Sequence, residues 1–534
     1  MILNKIKSLI PVAVAVLAFG AMTTSCTGDL DVDNINPQQT SELDTDALLN
    51  KIYSCFALTG QKGPGDNDDA WKDILDIDEG RSDLFRKAWE LNELTTGEAT
   101  WRWDDTGLPE LIDKTWGADN ASSVGLYYRL FFSITLCNYY LDQVPEDGAT
   151  DVQQKRAEVR FIRSLLYYFV MDFYGNAAFT EHVSTEPGIR YTRDQYYKFI
   201  ENELLDIEDK LAAPGTNTYG RVDKVAAWLL LSRLYLNAEV YTGTAQWAKA
   251  KEYADKVIKN GYYKLCTTGA TNPKTGEVYS GYQMLFLADN NTNGAQYENI
   301  YPVLNHGIET QSHGSMHFLV LAMYDKPSDG KMDVYIPSGT DCSWGKCGKL
   351  TGYVVDKFFG AGNEAPAVTE KTQDVTDAAG DDRALFYTTG FTRNIEDRSD
   401  NLNGYGCVKF RNVRSDGGVT SSVAKVDTDL PLMRIAEAYL NYAEAETRLN
   451  GSTSDAAEKI NELHKRAHAA TKTNYTLAEI QDEWVKEFWF EGRNRMDQIR
   501  FGTYDVPKYR YLFGIPVNDL LNNPNLRDYQ NTGY

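Results

Sequence analysis

The chain has 534 residues and carries 76 acidic against 54 basic side chains, a formal net charge of −22. A field of that sign repels nucleic acid and anionic lipid headgroups, so neither is an expected ligand and a neutral one fits better. The length provides for two to four domains or one extended repeat scaffold.

Lys5 and Lys7 precede an apolar run from Leu9 to Ala21, and small polar residues follow it. The run falls short of the roughly 20 residues a membrane-spanning helix needs, and its order (positive, apolar, small) is that of an export signal. Cys26, after Thr24 and Ser25, reads either as an ordinary residue near a signal-peptidase site or as a lipidated first residue. The second reading takes Thr24-Ser25-Cys26 as the small-residue box of bacterial lipoproteins, with Thr23 where that box usually holds an aliphatic side chain. The expected division is a signal peptide over 1–25 and a mature chain over 26–534. No later segment is apolar for long enough to cross a bilayer. Export permits disulfides, but the remaining cysteines are sparse. Only Cys342 and Cys347 are close enough in sequence for a local bridge, and the sequence leaves that open.

Residues 60–120 read as a loop-rich excursion dense in tryptophan: Trp71, Trp89, Trp101, Trp103 and Trp116. Residues 120–261 read as helical. A helix is expected within 153–175, and Ala226, Leu229, Leu230, Leu234 and Tyr235 recur at helical spacing. After a turn at Gly243, Trp247, Ala250, Ala254, Val257 and Ile258 mark a second helix ending at Gly261. Residues 262–425 read as a second excursion of loops and short strands, "YVVDKFF" being one strand-like piece. Over 430–502 the paired-helix plan returns, with helices expected over Leu432–Leu449 and around Ala456–Ala467. Alanines where helices must approach resemble a tetratricopeptide unit, and such pairs bury both faces only by stacking. The expected class is mostly α: a tetratricopeptide-like helical-repeat scaffold carrying loop-rich, short-strand excursions.

No HExxH, GxSxG, Walker loop or GxGxxG occurs. His313 and His317 stand four apart with His306 nearby, but no carboxylate stands at the spacing a zinc site would use. Carboxylate pairs for glycoside hydrolysis are spatial and not readable from sequence. Tyr139, Tyr140, Tyr167 and Tyr168 are expected in the core. Trp101 and Trp103, two apart, would share one side of an extended segment, flanked by Arg102, Asp104 and Asp105. Exposed indoles suit the apolar face of a pyranose ring, and neighbouring polar side chains suit its hydroxyl rim. Trp344 completes such a platform from another loop. Asp289, Asp427 and Asp429 lie in oxygen-rich turns, as solvated turn residues or as ligands for calcium, which takes oxygen donors.

"EWVKEFWFEGRNRMDQIRFG" (483–502) and the closing "IPVNDLLNNPNLRDYQNTGY" resemble the signatures of the SusD-like (RagB/SusD) outer-membrane lipoproteins, as do "DEGRSDLFRKAWELNELTT" and "VDTDLPLMRIAEAYL". In the first, Glu487, Glu491 and Arg495 are spaced to pair along a helix, with Trp484, Phe488 and Met496 inward, a structural motif. The resemblance covers essentially the whole chain. It implies a non-enzymatic starch- or α-glucan-binding protein, anchored to the outer membrane through lipid on Cys26, facing the exterior and partnered with a TonB-dependent SusC-like transporter. It carries glycan contacts onto Asp78, Arg86, Trp101, Trp103 and Trp344. His313 stands where the pattern has tyrosine and Thr106 where it has asparagine, departures that bear on glucan linkage. It also lends Asp289, Asp427 and Asp429 to a structural calcium, with no other cofactor required. Binding of another neutral glycan, α-1,6-glucan first, a surface glycoside hydrolase and a pure protein-interaction scaffold are the alternatives.

Overall fold

Helices dominate because side-chain caps and apolar spacing coincide along most of the chain. The computed structural model describes residues 43–60, 73–74, 79–325, 331–368 and 371–534, so the signal segment, Cys26, Trp71 and Asp78 lie outside the described residues. The chain divides into an N-terminal unit, Met1–Ala47, and a second unit, Leu48–Tyr534, which holds everything that follows.

Helix α1 (Leu84–Glu93) starts where Asp83 accepts the Arg86 N–H, and it is buried along its whole length. Strand β1 (Ala99–Trp101) follows. Helices α2 (Ala121–Gln143), capped by Asn120, and α3 (Thr150–Phe173) form a first hairpin. Helix α4 (Arg193–Ile207) opens on a capping box between Thr192 and Gln195. Asp223 caps α5 (Lys224–Leu236), and α6 (Trp247–Ile258) follows a turn at Gly243, whose φ of 74° is left-handed. The long excursion supplies β2 (Asn299–Val303), α7 (Ser315–Met323), β3 (Gly348–Leu350) and α8 (Gly352–Phe359). Then come β4 (Leu430–Arg434), α9 (Ala436–Asn450), α10 (Ser454–Arg466), α11 (Leu477–Phe488) and α12 (Asn494–Phe501).

The helix pairs stack as a repeat. α6 packs on both α5 and α9, α9 on α10 and α11, and α3 on α2 and α4. Ala226, Ala227, Ala250, Ala254, Ala443 and Ala445 are buried at these seams, and their small side chains let the backbones close up. The fold is mostly α and tetratricopeptide-like. Among the described residues the strands form only two-stranded ribbons. One pairs β1 antiparallel with β3, Trp101 opposite Gly348; another pairs β2 with β4.

Several expectations need correction. "YVVDKFF" is helix α8, not strand: Thr351 caps the Tyr353 N–H, Val354 and Val355 are buried, and Lys357 reaches Asp482 on α11. The excursion over 60–120 contains α1, wholly buried, and Trp89, Trp101 and Trp116 are core residues. The helix expected from Leu432 begins only at Ala436, because Pro431 biases Leu430 to extended backbone and pairing with β2 continues it. Tyr140, Tyr167 and Tyr168 are buried, but Tyr139 is 38% exposed. Cys342 and Cys347 are free thiols.

The 483–502 signature is not one helix either. It breaks between α11 and α12, where Phe490 takes φ 63°. Trp484, Phe488 and Met496 do pack inward. The charges pair across the fold instead of along a helix. Glu487 meets Arg434 at 2.5 Å and also Arg466, Glu491 meets Lys409 and Arg434 at 2.8 Å, and Arg495 meets Asp172 at 2.8 Å. Buried charges persist only when paired in this way.

Candidate glycan-binding site

The β1–β3 ribbon brings the two tryptophan loops together. β1 ends at Trp101, and the chain bends through Arg102 and Trp103. The bend ends the alternation, so the two indoles do not share a side. Trp101 is 1% exposed and Trp103 40% exposed, their rings edge to face at 6.4 Å. Trp101 therefore backs the site from within, stacked on Phe318 of α7 at 5.7 Å, and its indole N–H donates to Asp105 at 3.2 Å. From the bend, Arg102 donates to the Gly345 carbonyl at 3.1 Å, the residue next to Trp344, and to the Ser399 carbonyl at 3.1 Å.

Trp344 is half-buried, and its backbone N–H donates to the Leu321 carbonyl near the end of α7 at 2.8 Å. The Arg86 guanidinium lies over its ring at 5.2 Å and over Phe318 at 5.0 Å. Arg86 itself is buried, held by Glu90 at 3.3 Å and the Gly80 carbonyl at 3.0 Å, so it braces the indole from a fixed position. His313, half-buried, lies parallel to His317 at 5.7 Å and edge-on to Trp344 at 5.9 Å. Thr106 is exposed in the loop after Trp103, its carbonyl accepting from Arg81 at 3.4 Å. Trp103, Thr106, Trp344 and His313 are thus the accessible members of the expected set, and Trp101 and Arg86 are not.

Asp83 ties the two walls together. One oxygen accepts the Arg86 N–H at 2.9 Å and the Ser315 N–H at 3.3 Å, capping α1 and reaching the start of α7. Burial raises its pKa to about 6 against the pull of those N–H groups and Arg86. Gly314 packs so tightly on this carboxylate that a Cβ there would lie 2.1 Å from its carbon. Three members of this site carried no local signal for it in the sequence: Phe318, His317 and Lys425. Burial holds His317 neutral, well below the ordinary histidine range. The Lys425 ammonium donates to the Ser312 carbonyl at 2.9 Å and stands 3.5 Å from His317 Nε2.

Each expected metal ligand accepts hydrogen bonds from the protein. Asp289 accepts from the Ser415 hydroxyl at 2.7 Å and Asp427 from the Gly307 N–H at 2.8 Å. Asp429 accepts the Asn305 N–H at 2.8 Å, the Tyr219 hydroxyl also acts on its carboxyl, and burial raises its pKa to about 7. Among the described residues no group of three or more His, Cys, Asp or Glu side chains is arranged to hold a metal ion, and this applies to the histidines as well.

The pattern described as the SusD family matches residues 357–534, and one described as starch-binding and associating with the outer membrane matches 30–236. The chain is 37% identical to the starch-binding protein SusD of Bacteroides thetaiotaomicron, with 99% of each chain covered. This chain belongs to the SusD family. The family is one of carbohydrate-binding, non-catalytic proteins, and the hydrolase alternative falls with that membership. Solved structures share the fold. A SusD superfamily protein from Parabacteroides distasonis aligns with a TM-score of 0.65 at 21% identity, covering 93% of this chain and 100% of that one. A laminarin-binding SusD-like protein aligns at 0.66 and 16% identity, with coverage of 93% and 100%. Membership makes this a surface glycan-binding protein associated with the outer membrane.

Proposed function

We propose that this SusD-family protein captures starch or other α-glucan at the cell surface and passes it to a SusC-like TonB-dependent transporter, held to the outer membrane by lipid on Cys26. The observation that supports it is the exposed Trp103 backed by buried Trp101, in a loop tied to that of half-buried Trp344, which is backed by Phe318 and Arg86 and flanked by His313. Aromatic faces set at different angles suit the curved surface of an α-glucan helix, and repeated weak contacts along one polymer sum to avidity. Asp78 would add a polar contact to sugar hydroxyls.

Affinity electrophoresis against amylopectin, pullulan, dextran and laminarin tests the reading. Amylopectin is expected to retard the protein and Trp103→Ala to reduce the retardation. Retardation by dextran or laminarin without amylopectin would assign another glucan. The transporter reading is tested by co-purification from outer membranes, with Cys26→Ala releasing the protein from the membrane.

A structural calcium is a separate proposal. Asp427 and Asp429 would supply its carboxylate oxygens, supported by the buried Asp429 carboxyl beside the Asp427 charge. A bound cation would stabilise the turn, so added calcium should raise the melting temperature and Asp429→Asn should remove the rise. No rise with calcium would end this proposal.

A further inference from the structure

We propose that Lys425 is the counter-ion for an anionic oxygen substituent, a phosphate monoester or a uronate carboxylate, on a glucan ring stacked at Trp344. The inference rests on the glucan-binding reading and adds a charge to the sugar.

Lys425 is half-buried, yet among the described residues no carboxylate pairs with it. Its contacts are one carbonyl, of Ser312, and the neutral ring of His317. An ammonium only donates, so His317 Nε2 accepts and its proton sits on Nδ1, which is buried without a partner. No carboxylate here balances the charge, and burial lowers the Lys425 pKa to about 8. The cation behind the same platform is better provided for: Arg86 meets Glu90 at 3.3 Å. Half-buried charge without a counter-ion is costly, and in a chain of net charge −22 acids were in ample supply to neutralise it.

The place of this cation suggests what completes it. Ser312 precedes His313, whose ring is edge-on to Trp344; the His317 ring is also edge-on to Trp344, at 6.2 Å. Lys425 also senses Cys342, two residues before Trp344. The ammonium therefore sits beside the His313–Trp344 end of the platform. A neutral hexose offers it only hydroxyls, whereas an anionic oxygen adds the attraction of opposite charges to the hydrogen bond.

The test is calorimetry on the full protein with maltoheptaose, its 6-phosphorylated form and a form ending in glucuronate, in low and high salt. Both charged ligands should bind roughly tenfold tighter than maltoheptaose at low salt. The gain should shrink in high salt, vanish in Lys425→Met and survive in Lys425→Arg. Equal affinity for charged and neutral ligands in the wild type overturns the proposal. So does an equal loss for all three ligands in Lys425→Met, which would make the residue a hydroxyl donor only. Failure of the wild type to bind any of the three would count against the glucan reading itself, a result distinct from a loss of charge preference alone.

Discussion

Two glutamates behind the platform share one environment and should make stability fall as pH rises. Glu93 ends α1 and Glu98 precedes β1, and both are buried. They flank the break in the family signature: Glu98 accepts the Phe490 N–H at 2.5 Å and Glu93 the Arg493 N–H at 2.7 Å. Two carboxylates cannot donate to one another, and the second Glu93 oxygen has no other donor. A proton retained between them supplies it. Burial raises Glu93 to about 7, and burial plus the neighbouring Glu93 charge raises Glu98 well above its ordinary range, with Lys409 opposing. The folded state thus holds protons that the unfolded chain gives up near 4.5. Stability from this source is complete below that value and is lost as pH climbs through the folded values. Glu98→Gln keeps an acceptor for Phe490, gives Glu93 a donor and removes one titrating group. The variant should therefore gain on the wild type as pH rises above the unfolded value, by at most about 1.4 kcal/mol for each pH unit until Glu98 ionises in the folded state. Urea melts followed by tryptophan fluorescence at several pH values measure this. A wild-type and variant difference that stays constant with pH would refute the shared proton.

Trp103→Ala should weaken α-glucan binding by about tenfold while leaving the melting temperature unchanged, whereas Trp101→Ala should cost roughly 3–5 kcal/mol in denaturant melts. A destabilised Trp103→Ala would move that ring into the core. Gly314→Ala should cost about 1–3 kcal/mol, because its Cβ would collide with the Asp83 carboxylate; an unchanged melt would show that the junction yields. Alkylation of the native protein followed by peptide mapping should label Cys342, exposed, and spare Cys55, Cys137, Cys266, Cys347 and Cys407, all buried. A Cys342–Cys347 cross-link on the map would contradict the free thiols.

What could be read from sequence was what local rules decide. Helix α5 carries a continuous apolar run under an Asp223 cap, and α6 carries an apolar stripe after the Gly243 turn, so local residues define both without help from distant parts. Short elements gave no such independence. "YVVDKFF" has β-branched content but becomes helical under a Thr351 cap and a place against α11, and Leu430–Arg434 becomes strand only because β2 lies beside it. The spacing of Glu487, Glu491 and Arg495 matched a helix, yet Arg434, Arg466, Lys409 and Asp172 are their partners, from segments that only the fold brings near. At the site, the aromatic pair was visible but its orientation was not, since alternation holds only while a strand continues and β1 stops at Trp101. Phe318 and His317 sit in an apolar run that looks like any buried helix, and Lys425 in a polar loop that looks like any turn.

The division of labour between the two tryptophans of one loop bears on how a weak ligand is held. Stacking a sugar on a mobile indole would forfeit part of the contact energy to ordering the side chain. Here the exposed Trp103 edges against a Trp101 that is locked on Phe318 and hydrogen-bonded to Asp105, and Trp344 is held by Arg86 and by its own backbone bond to α7. Arg102 ties the two loops at Gly345, so their spacing is set before any sugar arrives. Preorganisation of this kind lowers the ordering cost of each contact without adding area. It follows that Arg102→Met, which leaves every ring in place and removes the bonds to Gly345 and Ser399, should weaken binding of long glucans more than it weakens binding of maltose, because only a chain spanning both loops depends on their spacing. Equal losses for both ligands would mean that the loops act separately.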